Sequence, residues 1–63
     1  MGDKTMPIKA IRARVGDLVR RMNCQRWYVV LRINGNELVC RDKGNPDRVI
    51  RISGNEYLAI WDK

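Results

Sequence analysis

The chain has 63 residues, 44% apolar and 32% charged, with 13 Lys and Arg against 7 Asp and Glu for a net charge of +6. That length allows one small domain, near the lower limit for burying a core of its own, so self-association is an open expectation. The composition excludes a disordered chain; no apolar run approaches the roughly 20 residues that span a bilayer, and the start lacks a secretory h-region. The chain is therefore expected to be the whole mature protein, cytoplasmic and away from membranes.

In chain order, residues 1–10 read as a basic, partly flexible N-terminal tail that contains Pro7. From Ile11, the apolar residues Ile11, Ala13 and Val15 alternate with Arg12 and Arg14, a period of two that predicts extended chain. A short helix capped by Thr5 and carrying Ile8, Ile11 and Val15 competes with it and would stop at Gly16. "GDLVRRM" (16–22) predicts a first strand entered through a Gly-Asp turn, with Asp17 capping backbone amides. "WYVVLRI" (27–33) is rich in β-branched and aromatic residues and predicts the second strand. Its Trp27, Val29, Leu31 and Ile33 are assigned to the core face, Tyr28, Val30 and Arg32 to the outer one.

Asn34-Gly35 predicts a two-residue type I′ turn leading into "ELVCR" (37–41). "DKGNPD" (42–47) then breaks the chain with Gly44 and Pro46, and "RVIRIS" (48–53) predicts a fourth strand. After Gly54-Asn55, "EYL" suits a single 3₁₀ turn and "AIWDK" a last short strand. Five short strands are too few for a sandwich but can curl into one small barrel, which also removes exposed edges. The predicted core is Val19, Val29, Leu31, Ile33, Ile50, Ile52, Leu58 and Ile60.

"VGDLVRR" followed by a hairpin and a closing strand–turn–strand resembles the small bacterial SH3-like barrels of the KOW and Tudor type, over roughly Val15 to Trp61. The resemblance implies an all-β, five-stranded SH3-like barrel over residues 11–63. It also implies binding to RNA, DNA or a protein surface. "GDLVRR" and "VIRISGNEYLAI" are also distantly similar to the subunit of type II, plasmid-encoded dihydrofolate reductases. That family's pore run is Val-Gln-Ile-Tyr; here Val49-Ile50-Arg51-Ile52 stands in its place, so reductase activity does not carry over.

Charge is uneven along the chain. Residues 9–26 hold Lys9, Arg12, Arg14, Arg20, Arg21 and Arg26 against Asp17 alone. That asymmetry points to an anionic partner, nucleic acid being the commonest, against the plainer reading of a solvated basic surface. Cys24 and Cys40, with no histidine in the chain, are expected to be free thiols in a reducing compartment, without metal. A Ser-His-Asp or Cys-His arrangement is impossible without histidine, so no enzymatic activity and no cofactor are expected.

The expected binding residues are Arg12, Arg14, Arg20, Arg21, Arg26, Tyr28, Arg32, Arg51 and Trp61. An outer face mixing Trp, Tyr and Arg can stack bases and neutralise phosphates. It can also serve as a protein or self-association interface, and plain closure of the barrel by Trp27 and Trp61 is a third reading. Two functions therefore stand: a nucleic-acid-binding module (DNA or RNA undecided), or a protein-interaction or inhibitor module of the kind small phage and plasmid genes encode.

Overall fold

A computed structural model describes residues 5–61; residues 1–4 of the expected tail and residues 62–63 of the last expected strand lie outside them. The chain is all-β. Its strands are β1 (Thr5–Lys9), β2 (Leu18–Arg21), β3 (Trp27–Asn34), β4 (Glu37–Asp42), β5 (Val49–Ser53) and β6 (Tyr57–Trp61), with a 3₁₀ turn at Ala10–Arg12. They form one antiparallel sheet in the order β1-β6-β2-β3-β4-β5. The sheet has six strands where five were expected, and β1 and β5 do not pair to close it. The sixth strand comes from the expected tail: Thr5–Lys9 pairs with Tyr57–Trp61. Pro7 is tolerated there because β1 is an edge strand, where a missing N–H breaks no ladder.

The sheet is nonetheless strongly coiled. The 3₁₀ turn follows β1, at one end of the strand order, yet packs against β4 and β5 at the other. The amides of Ala10 and Ile11 donate to the carbonyls of Glu56 and Gly54 at 2.7 and 3.0 Å, fastening the turn to the β5–β6 connection. In a 3₁₀ turn residues three apart eclipse, so Ala10 and Ala13 enter the core together while Ile11 and Val15 stay exposed. The turn replaces the extended run predicted from Ile11 at residues 11 and 12, whereas Ala13 is extended as expected.

The core comprises Ala10, Ala13, Val19, Tyr28, Val30, Leu38, Cys40, Ile52 and Leu58, with Ile8, Ile50 and Ile60 packed against it. Of the predicted core, Val19, Ile50, Ile52, Leu58 and Ile60 are therefore in place. The prediction for β3 is corrected: Tyr28 and Val30 point inward, Val29 is half-buried on the outer face, and Leu31 and Ile33 are 39% and 38% exposed. The cause is a β-bulge. Register runs Tyr28↔Asp42, Val29↔Arg41, Val30↔Cys40, then shifts to Arg32↔Val39 and Ile33↔Leu38, leaving Leu31 as the extra residue. One extra residue reverses the alternation on either side of it.

The hairpin turn is also displaced by one residue. Asn34 pairs with Glu37, so the loop is Gly35-Asn36, and Gly35 has φ +61° while no other residue type has positive φ among the described residues. A positive φ at the first loop position alone is the type II′ pattern rather than I′. This turn docks on the next one: the Gly54 amide donates to the Asn36 carbonyl at 2.7 Å, and a Cβ on Gly54 would lie 3.1 Å from that oxygen. No 3₁₀ turn forms at residues 56–58; Tyr57 and Leu58 already belong to β6. Asp17 caps as expected, its carboxylate accepting from the Arg14 amide at 2.9 Å.

Loop 42–48 is organised by Asp42. Its carboxylate accepts from the Gly44 amide at 2.8 Å and from the Arg26 guanidinium at 3.0 Å, with a side chain only 5% exposed. The Gly44 hydrogen bond, with help from Arg26, outweighs burial and holds the Asp42 carboxyl below the usual 3.8.

Three outcomes test this description. Leu38→Ala should cost about 2–5 kcal/mol in urea unfolding, whereas Leu31→Ala at the bulge should cost about 1 kcal/mol or less. Gly35→Val should cost about 1–3 kcal/mol through backbone strain, since no atom lies within 4 Å of the added Cβ; an unchanged midpoint would place the turn elsewhere. For Asp42 the folded pKa is the lower one, so its contribution is full above the usual aspartate value and is lost as pH falls through the folded one. Asp42→Asn should therefore show a flatter decline of stability below about pH 4 than the parent chain.

Candidate functional site

The inward turn of Tyr28 sends its neighbour Trp27 outward, and this builds the most distinctive feature of the surface. Arg20 on β2 stands opposite Trp27 on β3 and opposite Ala59 on β6. Its guanidinium carbon lies 5.2 Å from the Trp27 ring centroid, and its Nη1 donates to the Cys24 carbonyl at 2.9 Å. A cation over an indole face is attracted by the ring quadrupole, and the carbonyl fixes the fork in place. Trp61, two residues beyond Ala59 on the same face, meets Trp27 edge to face, with centroids 5.7 Å apart and planes at 88°. Arg20, Gln25, Trp27 and Trp61 together line a cavity of about 300 Å³.

The same outward face continues over β3, β4 and β5. Val39 stands between Arg32 and Arg51, and in the next row Arg41 stands between Val29 and Val49. Each arginine thus faces a valine directly and another arginine only on the diagonal, about 7–8 Å away, which limits repulsion across the ladder. All three arginines are exposed, and none is in an ion pair among the described residues. Of the described carboxylates, Glu37, at the hairpin end of β4, is the one that shares this side of β4 with Val39 and Arg41.

The expected binding residues divide accordingly. Arg20 and Trp61 come together at the cavity, and Arg32 and Arg51 share a row. Arg21 and Arg26 are engaged elsewhere. The Arg21 Nε lies 3.3 Å from a Glu56 carboxylate oxygen, without hydrogen-bond alignment, and Arg26 is bonded to Asp42. Tyr28 is 5% exposed and belongs to the core, so it offers no ring to a ligand. Arg14 is exposed in the loop before Gly16. Arg12, with Pro7, Ile8, Lys9 and Tyr57, lines a second cavity of about 350 Å³ beside β1.

Trp27, Gln25 and Arg41 join the site without having been expected there. Arg41 was legible: Val39 and Arg41 alternate with Leu38 and Cys40, so an inward Leu38 puts Arg41 outside. Trp27 was not, because the bulge has no glycine or other signal to mark it. Cys24 is exposed and Cys40 buried, both free. Burial, partly countered by Arg21, pushes the Cys40 thiol up to about 11, so it stays protonated at neutral pH.

What the surface offers is a fork of guanidinium donors, two indoles and a side-chain amide. No family model matches the chain, and no curated protein or solved structure matches it.

Proposed function

We propose that the chain is an SH3-like barrel module that binds nucleic acid through the outward face of β2–β5 and β6. The observation that carries this reading is the row pattern of Arg32, Arg41 and Arg51. They are exposed, unopposed by carboxylates within the rows, and continuous along β3 with Trp27 and Arg20. Guanidinium groups fork onto phosphate oxygens and stack on flat rings, which suits a polyanion that also carries bases. The barrel assignment is supported by β2–β5 running as a meander and by β6 returning beside β2. Free thiols, one of them exposed, suit a reducing cytoplasm.

A protein-interaction module is the second reading, favoured by one observation. Val49 is 52% exposed and Leu31 39%, so apolar side chains are interleaved with the arginines, as in many interfaces. Salt separates the two readings, because counterion release makes nucleic-acid affinity fall steeply as salt rises.

Fluorescence anisotropy with labelled DNA and RNA at several salt concentrations is the test. Arg32→Gln, Arg41→Gln and Arg51→Gln should each weaken binding for every sequence and lower the log–log salt slope by about 0.9 on duplex DNA. Arg26→Gln should leave the slope unchanged, since its charge is already matched by Asp42. Failure to bind any nucleic acid at low salt overturns the reading in favour of the protein interface.

A further inference from the structure

We infer that the cavity between Trp27 and Trp61 receives a single unpaired nucleobase, guanine in preference to adenine, so that the partner is single-stranded. The inference rests on the nucleic-acid reading above and adds to it the strand type and the base. Two perpendicular indoles form a corner: a flat ring stacked on one wall presents its edge to the other. A base inside a duplex is covered on both faces by its neighbours and cannot enter such a corner, whereas an unstacked base in a single strand can.

Selectivity follows from the polar walls. Arg20 has five N–H donors and no acceptor; the Cys24 carbonyl occupies one position, through Nη1 at 2.9 Å. The donors that remain match a base edge with two adjacent acceptors, which guanine presents at O6 and N7, while adenine places a donor beside N7. Gln25, exposed at the rim, supplies an amide able to donate or accept at the remaining edge. The exit is basic as well. Trp27 is two residues from Val29, which stands opposite Arg41, so a strand leaving the cavity along β3 and β4 meets the arginine rows.

The test uses three probes at low salt: a 12-nucleotide oligothymidylate with one central guanine, the same strand with adenine, and a duplex of the first with its complement. The guanine strand should bind about five- to a hundredfold tighter than the adenine strand and quench intrinsic tryptophan fluorescence. Trp61→Ala should reduce binding of single strands about five- to a hundredfold, and since Trp61 is 44% exposed the variant should remain folded by circular dichroism. Arg20→Met keeps an apolar stem but removes every donor and should erase the guanine preference. Gln25→Ala, which disturbs no ring packing, should weaken the guanine strand more than the adenine strand. Equal binding of strand and duplex, with Trp61→Ala silent while Arg41→Gln still weakens both, overturns the base pocket and leaves the basic interface standing. No binding to any probe overturns both.

Discussion

One extra residue in β3, at Leu31, determines what this small domain can bury and what it must display. Without the bulge, the strand would alternate uniformly, and residues sharing a face with Tyr28 and Val30 would include Arg32. An arginine would then stand in place of Ile33 beside the buried Leu38, removing an apolar side chain from the edge of the core. The bulge allows Tyr28 and Val30 to face inward before it and puts Ile33 on the side of Leu38 after it, while Trp27 and Arg32 both face out. The Trp27–Arg20–Trp61 corner and the arginine rows depend on that single reversal. A kink in one ladder sets both the core and the surface.

A second economy is visible in how the connections are held. With so few residues, side chains alone fill only a thin core, and under the 3₁₀ turn that core is closed by two alanines, Ala10 and Ala13. Backbone hydrogen bonds supplement the thin packing. The hairpin turn holds the β5–β6 turn through Asn36 and Gly54, and the 3₁₀ turn holds the same connection through Ala10 and Ile11. Three loops distant in sequence thus meet at one end of the sheet. That explains why Gly54 is buried although it lies in a turn, and why a side chain there would push first against the Asn36 side chain and then against its carbonyl rather than into solvent.

Strands β2 to β6 were legible because each has β-branched or aromatic residues between clear breakers. β1 was not, because Pro7 and the charged Asp3, Lys4 and Lys9 near it look like a tail unless one knows that the strand lies at an edge. The hairpin was legible but its turn lies one residue further on: Asn-Gly favours type I′ only when both residues take positive φ, and here Asn34 stays in the ladder while Gly35 begins the turn. The face assignment in β3 was beyond periodicity, since both faces of "WYVVLRI" are apolar enough to be core. Thus Tyr28 and Trp27 exchanged roles. The ion pairing of Arg21 and Arg26 was not legible for a different reason: their carboxylate partners, Glu56 and Asp42, are far away in sequence and adjacent only in the fold.

The distribution of charge therefore changes meaning between chain and structure. Along the chain the excess lies in residues 9–26, but two of its six cations sit against carboxylates, and Arg12 lies at a separate cavity beside β1. The rows on β3–β5 come instead from the part of the chain whose charges nearly cancel. They cancel only in sequence: of that part's described acids, Asp42 and Glu56 are drawn to Arg26 and Arg21, Asp47 lies in a loop, and Glu37, at the hairpin end of the arginine face, forms no ion pair among the described residues. Acids spent on β2-side arginines leave β3–β5 arginines unmatched, so the two halves trade partners across the fold. A basic hairpin with a nearly neutral local count can in this way present an uncompensated cationic face. Its position on paired strands also matters, because arginines on a ladder have their spacing fixed by register before any partner arrives, whereas those on loops must be ordered by it.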